Sequence, residues 1–246
     1  MCAICRFEND ARQAPPSRRA LLRYFGVAAA GMALAGSALA KEMKAPPKPQ
    51  NVVSPDAALE RLLKGNARYV EGVSRRHDFK HEREALVGGQ NPYAGILSCA
   101  DSRIAPEYAF DSGRGDLFVC RVAGNFANSD TIASMEYAVA ELGTPLIMVL
   151  GHNHCGAVGA TIKSLKDDTT LPGHLPSLVA SLSGAVKASV AQPGDPLVNA
   201  IRQNVIDNVA TLKAATPILS GAVEQQKLKV VGGVYRLEDG RVEMIA

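Results

Sequence analysis

Two uninterrupted apolar runs, each ending on a side chain able to bind a metal, constrain this chain more than any other feature. Tyr93 to Ser98 runs straight into Cys99-Ala100-Asp101-Ser102-Arg103, and Pro145 to Leu150 runs into Gly151-His152-Asn153-His154-Cys155-Gly156. A short run without polar alternation fits a strand buried on both faces, and such strands belong to parallel sheets covered by helices on either side. A third run, Asp116 to Val122, ends in Ala123-Gly124-Asn125, which reads as a turn.

The segments between these runs have helical character. Ser54-Pro55-Asp56 opens an amphipathic helix carrying Ala58, Leu59, Leu62 and Leu63, then Tyr69 and Val70. Ser129 to Leu142 places Ile132, Met135, Val139 and Leu142 on one face, with Gly143 as its stop. Further helices are expected near 157–166, 176–190 and 196–214. Lys227 to Tyr235 and Arg241 to Ile245 read as a closing hairpin around Asp239-Gly240. The fold class is therefore α/β, with a mostly parallel central sheet flanked by helices. Apolar residues at 47% and charged residues at 21% suit one folded globular domain and argue against disorder or a multi-span membrane protein.

The amino-terminal segment is different. Residues 1–40 hold Arg6, Arg12, Arg18, Arg19 and Arg23 against Glu8 and Asp10, so the whole net charge of +3 resides there. The remainder balances at 22 basic and 22 acidic residues, and it lacks the basic footprint that nucleic acid requires. A charged stretch ending in Arg18-Arg19, an apolar run from Val27 to Leu39 and the small residues Ala38-Leu39-Ala40 form the three parts of an export signal. The adjacent arginines suggest the twin-arginine type, cleavage is expected after Ala40, and a periplasmic or otherwise exported location in a bacterium follows. The apolar run falls short of the roughly 20 residues of a membrane span, so no stable anchor is expected. Residues 41–54 form a Pro-rich linker, with Pro46, Pro47, Pro49 and then Pro55 within fifteen positions. The folded domain is expected over 55–246.

Loss of Cys2 and Cys5 with that segment leaves Cys99, Cys120 and Cys155, an odd number that closes no disulfide framework. Cys120 alternates with its neighbours as a core strand residue does. Cys99 and His152 lie just past the carboxyl ends of their strands, where open parallel sheets place ligands, and Cys155 follows three residues after His152. Two thiolates and one imidazole select Zn²⁺ over Mg²⁺ or Ca²⁺, and three protein ligands leave a fourth position open, as catalytic zinc sites do.

Cys99-Ala100-Asp101-Ser102-Arg103 with His152-Asn153-His154-Cys155 closely resembles the CxDSR and HxxC motifs of the β-class carbonic anhydrases. Gly65-Asn66-Ala67-Arg68-Tyr69, Gly115-Asp116-Leu117-Phe118 and Arg121-Val122-Ala123-Gly124-Asn125 add to the resemblance, which covers about residues 52 to 246. It implies one Zn²⁺ per subunit held by Cys99, His152 and Cys155, with Asp101 and Arg103 as a dyad beside the open position. It implies reversible hydration of carbon dioxide to bicarbonate and a proton. Gly156 would hold a bicarbonate oxygen through its N–H. Ser112, where many relatives carry Gln, would be the substrate contact next to Asp111. The family is built from dimers, often paired into tetramers, and Val52 to Val70 would pack on a neighbouring subunit. His154 is a candidate for carrying the proton away. Two alternatives stay open at this point: a zinc hydrolase acting on a CO₂ analogue such as carbon disulfide, and a non-catalytic zinc-binding module.

Overall fold

The buried apolar runs become the middle of a five-stranded sheet in the computed structural model, which describes residues 52–246. The export signal, its cleavage point and the linker up to residue 51 lie outside the described residues. In chain order the elements are α1 (Pro55–Val70), α2 (Phe79–Leu86), β1 (Ala94–Ser98), α3 (Pro106–Ala109), β2 (Leu117–Arg121), α4 (Ser129–Ala140), β3 (Leu146–His152), α5 (Gly156–Lys166), α6 (Leu175–Ser189), α7 (Pro196–Ala214), α8 (Ile218–Glu224), β4 (Lys229–Tyr235) and β5 (Val242–Met244). The strand order is β2-β1-β3-β4-β5. The pairs β1–β2, β1–β3 and β3–β4 are parallel, and β4–β5 is the expected antiparallel closing hairpin.

Both faces of the sheet are covered, which explains why its central strands need no polar alternation. Leu97, Ile147 and Val149 enter one core with Met135 of α4, Leu182 of α6 and Ile201 and Val205 of α7. Their neighbours Ile96, Leu146, Met148 and Leu150 enter the other, against Ala58 and Leu62 of α1 and Phe110 after α3. The chain leaves β1 towards β2 on one side and returns to β3 on the other, so the sheet reverses direction between β1 and β3. An open α/β sheet has its ligand crevice at this switch point, outside the carboxyl ends of the strands.

Helix starts follow the local chemistry. Ser54 caps α1 through its hydroxyl, Asn128 and Thr131 form a capping box at α4, and Asp195 accepts from the N–H groups of Leu197 and Val198 at α7. Helix α4 ends at Ala140, two residues short of the expected Leu142, and Gly143 takes φ +68° just beyond it. Helices α2, α3 and α8 are absent from the sequence expectation because each spans eight residues or fewer, too few for a period of 3.6 to show. The core assignment of Cys120 requires correction: β2 is an edge strand, and Cys120 is half-buried against the core around α4.

The Gly65-Asn66 pair joins three elements. Asn66 donates to the carbonyls of Ala109 (2.9 Å) and Gly240 (2.8 Å) and accepts from the Val242 N–H (2.9 Å), tying α1 to α3 and to the closing hairpin. A methyl group at Gly65 would lie 1.9 Å from the Phe110 carbonyl oxygen. Alanine is normally the better helix former by roughly 0.5–1 kcal/mol. Gly65→Ala should nevertheless destabilise the protein by about 1–3 kcal/mol, the usual cost of overpacking, measurable by urea denaturation.

Asp111, at φ +41° in the loop after α3, is nearly buried. Burial alone would raise its carboxyl pKa, but Arg68 Nε at 2.6 Å and the Arg75 N–H at 2.9 Å outweigh that and hold it below the usual range. A depressed folded-state pKa gives stability that is complete above the unfolded value of about 3.9 and is lost as pH falls through the lower folded value. Asp111→Asn should flatten this acid-side loss and lower stability at neutral pH by roughly 1.5–3 kcal/mol, the range for hydrogen bonds to charged groups. Melting temperatures of both proteins across acid pH test this.

Candidate metal centre

Strand register determines which side chains can meet. Ser98 pairs with Leu150 across β1–β3, so Cys99 leaves the sheet beside the end of β3, where His152 is the last strand residue. Cys155 is the N-cap residue of α5, where the chain turns off the sheet into a helix. The ligand atoms of Cys99, His152 and Cys155 lie within 4.8 Å of one another, and all three residues are buried.

The imidazole of His152 is oriented from behind. Its Nδ1 lies 2.8 Å from the carbonyl of Asn153, an arrangement that makes Nδ1 the donor and leaves the Nε2 lone pair facing the cysteines. Nε2 is buried with no hydrogen-bond partner. A buried polar atom without a partner is costly, and a cation between it and two sulfurs removes that cost. The sulfurs show the same need. A hydrogen bond from Cys155 draws the Cys99 thiol well below its ordinary pKa, against the upward push of burial, and the Gly124 N–H assists at 3.3 Å from Sγ. That same bond, reinforced by burial, drives the Cys155 thiol upward. One proton shared between two enclosed sulfurs is what a divalent ion would displace. The donor set therefore fits a soft, tetrahedral ion such as Zn²⁺.

Beside this cluster stands the expected dyad. Arg103 Nε donates to Asp101 Oδ1 at 2.9 Å and Nη2 to Oδ2 at 2.7 Å, a forked pair, while the Arg103 N–H adds a third bond to Oδ1 at 2.9 Å. These bonds hold the Asp101 carboxyl far below the usual carboxylate range, so it is ionised at any working pH. Oδ2 lies 3.8 Å from His152 Nε2, which places the carboxylate at the edge of the ligand cluster.

Of the expected site residues, Cys99, His152, Cys155, Asp101 and Arg103 converge, and Gly156 opens α5 directly after Cys155. Ser112 does not join them within the protomer. It lines a cavity of about 640 Å³ whose walls include Tyr69, His77, Tyr108 and Asp111 but none of the three ligands. Its hydroxyl donates to the Phe110 carbonyl at 3.2 Å and lies 3.0 Å from the Tyr93 hydroxyl. His154, at φ +53°, faces outward and lies 3.2 Å from Glu238.

Other residues that shape the site carry weaker sequence signals. Arg121, at the end of β2, donates through Nε to the carbonyl of Cys99 and through Nη2 to those of Asp101 and Ile104, at 2.8–3.0 Å. It thereby clamps the loop that presents both Cys99 and Asp101. Asn153 clamps the other ligand loop: its Nδ2 donates to both Glu238 oxygens, and its Oδ1 accepts from the Leu237 N–H. Arg121 opens the Arg121-Val122-Ala123-Gly124-Asn125 motif, which marks it without revealing the clamp; nothing local marks Glu238.

Comparison with known proteins agrees with this geometry. The carbonic anhydrase family profile matches residues 94–242. Carbonic anhydrase 2 of Mycobacterium tuberculosis is 39% identical over 190 residues, spanning 76% of this chain and 91% of that one. The chain belongs to the β-class carbonic anhydrases. It is accordingly an enzyme, a lyase of the carbonate dehydratase type. A carbonic anhydrase of Pseudomonas aeruginosa is 38% identical over 174 residues, covering 66% of this chain and 77% of that one. The solved β-carbonic anhydrase CcaA is 29% identical with a TM-score of 0.58, covering 76% of this chain and 98% of that one. Tetrameric β-carbonic anhydrases from Sordaria macrospora share the fold at 23% identity and a TM-score of 0.61, covering 77% of this chain and 98% of the matched one. Among the described residues no helix is long and apolar enough to cross a membrane.

Proposed function

We propose that this protein catalyses the zinc-dependent, reversible hydration of carbon dioxide to bicarbonate and a proton, as an exported homo-oligomer. The observation that carries this reading is the buried, unpartnered Nε2 of His152, with the Cys99 and Cys155 sulfurs within 4.8 Å and the Asp101 carboxylate alongside. Cys99 Sγ, His152 Nε2 and Cys155 Sγ would hold one Zn²⁺. When bound, the ion would supply Lewis acidity, lowering the pKa of a coordinated water from roughly 15.7 towards 7.

The protein's own groups then set geometry and charge. Asp101 Oδ2 takes one bond from Arg103 and retains a lone pair, so it can accept the O–H of the attacking water and aim its oxygen at carbon dioxide. Arg103 keeps that carboxylate anionic and fixed in plane, turned so that both its oxygens remain on the guanidinium. The N–H groups opening α5 at Gly156 present the positive end of a helix of 11 residues, suited to the charge that appears as bicarbonate forms. A purely structural zinc site has no use for such a dyad beside it.

Two features outside the site complete the reading. The export signal over residues 1–40 supports delivery to the periplasm with Lys41 as the first residue of the mature chain. The solved relatives that are tetramers support assembly into a dimer or tetramer, in which residues 52–70 would pack on a neighbouring subunit.

Stopped-flow measurement of carbon dioxide hydration, with zinc determined on the same sample, tests the proposal. Activity should rise in proportion to zinc and saturate near one ion per chain. Zinc-replete protein without hydration activity would overturn it. Amino-terminal sequencing of periplasmic protein, compared between the parent and a variant with both Arg18 and Arg19 changed to lysine, tests export separately.

A further inference from the structure

Helix α7 carries a polar pair on its most buried face. Asn204 and Asn208, 3% and 7% exposed, interrupt a stripe made by Ile201, Val205, Val209 and Leu212. Buried amides in an apolar stripe stabilise a fold only if their hydrogen bonds are satisfied, and these are. Asn208 Nδ2 donates to the Asn204 carbonyl at 2.7 Å and lies 3.0 Å from Asn204 Oδ1, while its own Oδ1 accepts from the Ala127 N–H at 2.6 Å. That leaves Asn204 Nδ2 aimed at one target, the Gly124 carbonyl, at 2.8 Å. Gly124 in turn donates its N–H to Cys99 Sγ.

Close docking of the helix makes this chain of contacts possible. A methyl group on Gly151 would lie 2.7 Å from Val205, and one on Gly232 would lie 2.6 Å from the same side chain. Val205 therefore sits in a notch formed by two glycines on neighbouring strands, one of them adjacent to His152. Gly124 is constrained as well: it adopts φ +88°, and a side chain there would strike Leu182 of α6 at 2.8 Å. The loop after β2 is thus held between α6 and α7, with its N–H directed at the sulfur.

We infer that Asn204 is a positioning residue for the metal centre: by holding Gly124 it fixes the sulfur of Cys99 against His152, and α7 acts as a brace on β3, which carries His152, and on the loop that faces Cys99. The inference rests on the zinc site proposed above. Outer-sphere hydrogen bonds to a ligand typically change metal affinity by roughly 10–100-fold, because they orient the donor and tune its charge.

The test compares Asn204→Ala with the parent protein by chelator competition for Zn²⁺ and by the absorption of the Co²⁺-substituted forms, whose sulfur-to-metal bands report thiolate geometry. Asn204→Ala, which acts on the ligand one residue removed, should bind Zn²⁺ about 10-fold more weakly, the low end of the range for a direct partner of a ligand, and shift those bands. Gly232→Ala, which removes no polar atom and presses α7 off the sheet through Val205 at 2.6 Å and Val209 at 3.1 Å, should weaken binding in the same direction, and adding Val205→Ala should recover part of the loss. Should Asn204→Ala fail to fold, the Gly232 series carries the test. Leu62→Val, in the core on the opposite face of the sheet, should lower the melting temperature without moving zinc affinity or the cobalt spectrum. Unchanged affinity and spectra in the Asn204 and Gly232 variants would overturn the brace while leaving the zinc site intact. Failure of the parent protein to bind zinc through Cys99 would overturn the site and the brace together.

Discussion

Cys99→Ala should yield a folded protein that neither retains zinc nor hydrates carbon dioxide. Cys99 is one of three donors that close to within 4.8 Å, and the other two cannot complete a tetrahedral set without it. The loss of affinity should exceed the roughly 10–100-fold that removal of an outer-sphere partner produces, since a bond to the ion itself is lost. The fold should survive because Cys99 lies beyond the last residue of β1, after the ladder has ended at Ser98. Elemental analysis and hydration assays on one preparation measure both effects, with circular dichroism confirming the fold. Cys120→Ala provides the matched comparison: its sulfur sits half-buried on the edge strand, and the variant should keep full zinc content and activity. Zinc at parental levels in Cys99→Ala would dismiss the assigned ligand set.

Much of this arrangement was legible because it is written in local order. The runs up to Leu97 and Leu150 show no polar alternation, since alternate residues enter opposite cores, and that is what identifies a parallel sheet covered on both faces. Once those strands lie side by side, Cys99 and His152 must meet at the switch point. Other features depend on contacts far apart in sequence. Glu238 reaches Asn153 only because β4 pairs with β3, and Asn204 reaches Gly124 only because glycines at 151 and 232 admit Val205 between the strands. Ser112, which the resemblance would make a substrate contact, has its hydroxyl against Phe110 and Tyr93 within the protomer, contacts that its place in the chain does not announce. Edge position is equally invisible to periodicity: Leu117 to Arg121 reads as a buried strand, but with β1 on one side and no strand of the described chain on the other, it stays half-exposed.

Asp101→Asn should separate catalysis from metal binding. No zinc ligand is altered, so metal content should match the parent protein. The amide is nearly the same size as the carboxylate, but it carries no charge and has only one acceptor oxygen. Of the three bonds now made by Arg103, the fork needs two acceptor oxygens, so at least one guanidinium N–H loses its partner. The oxygen facing His152 would be replaced by NH₂, or retained there without the charge that makes it a strong acceptor. Either way the acceptor that orients the attacking water is lost, and removal of one preorganised hydrogen-bonding group at the reacting atoms typically costs roughly 10²–10³-fold, on the order of which kcat should fall. Arg103→Lys should fall less steeply, because an ammonium preserves the opposite charge but cannot hold both oxygens in one plane. A pH profile that keeps its shape while its height drops, in zinc-replete protein, identifies the loss as one of orientation. Parental activity in Asp101→Asn would remove the carboxylate from the reaction and leave water activation to the metal alone.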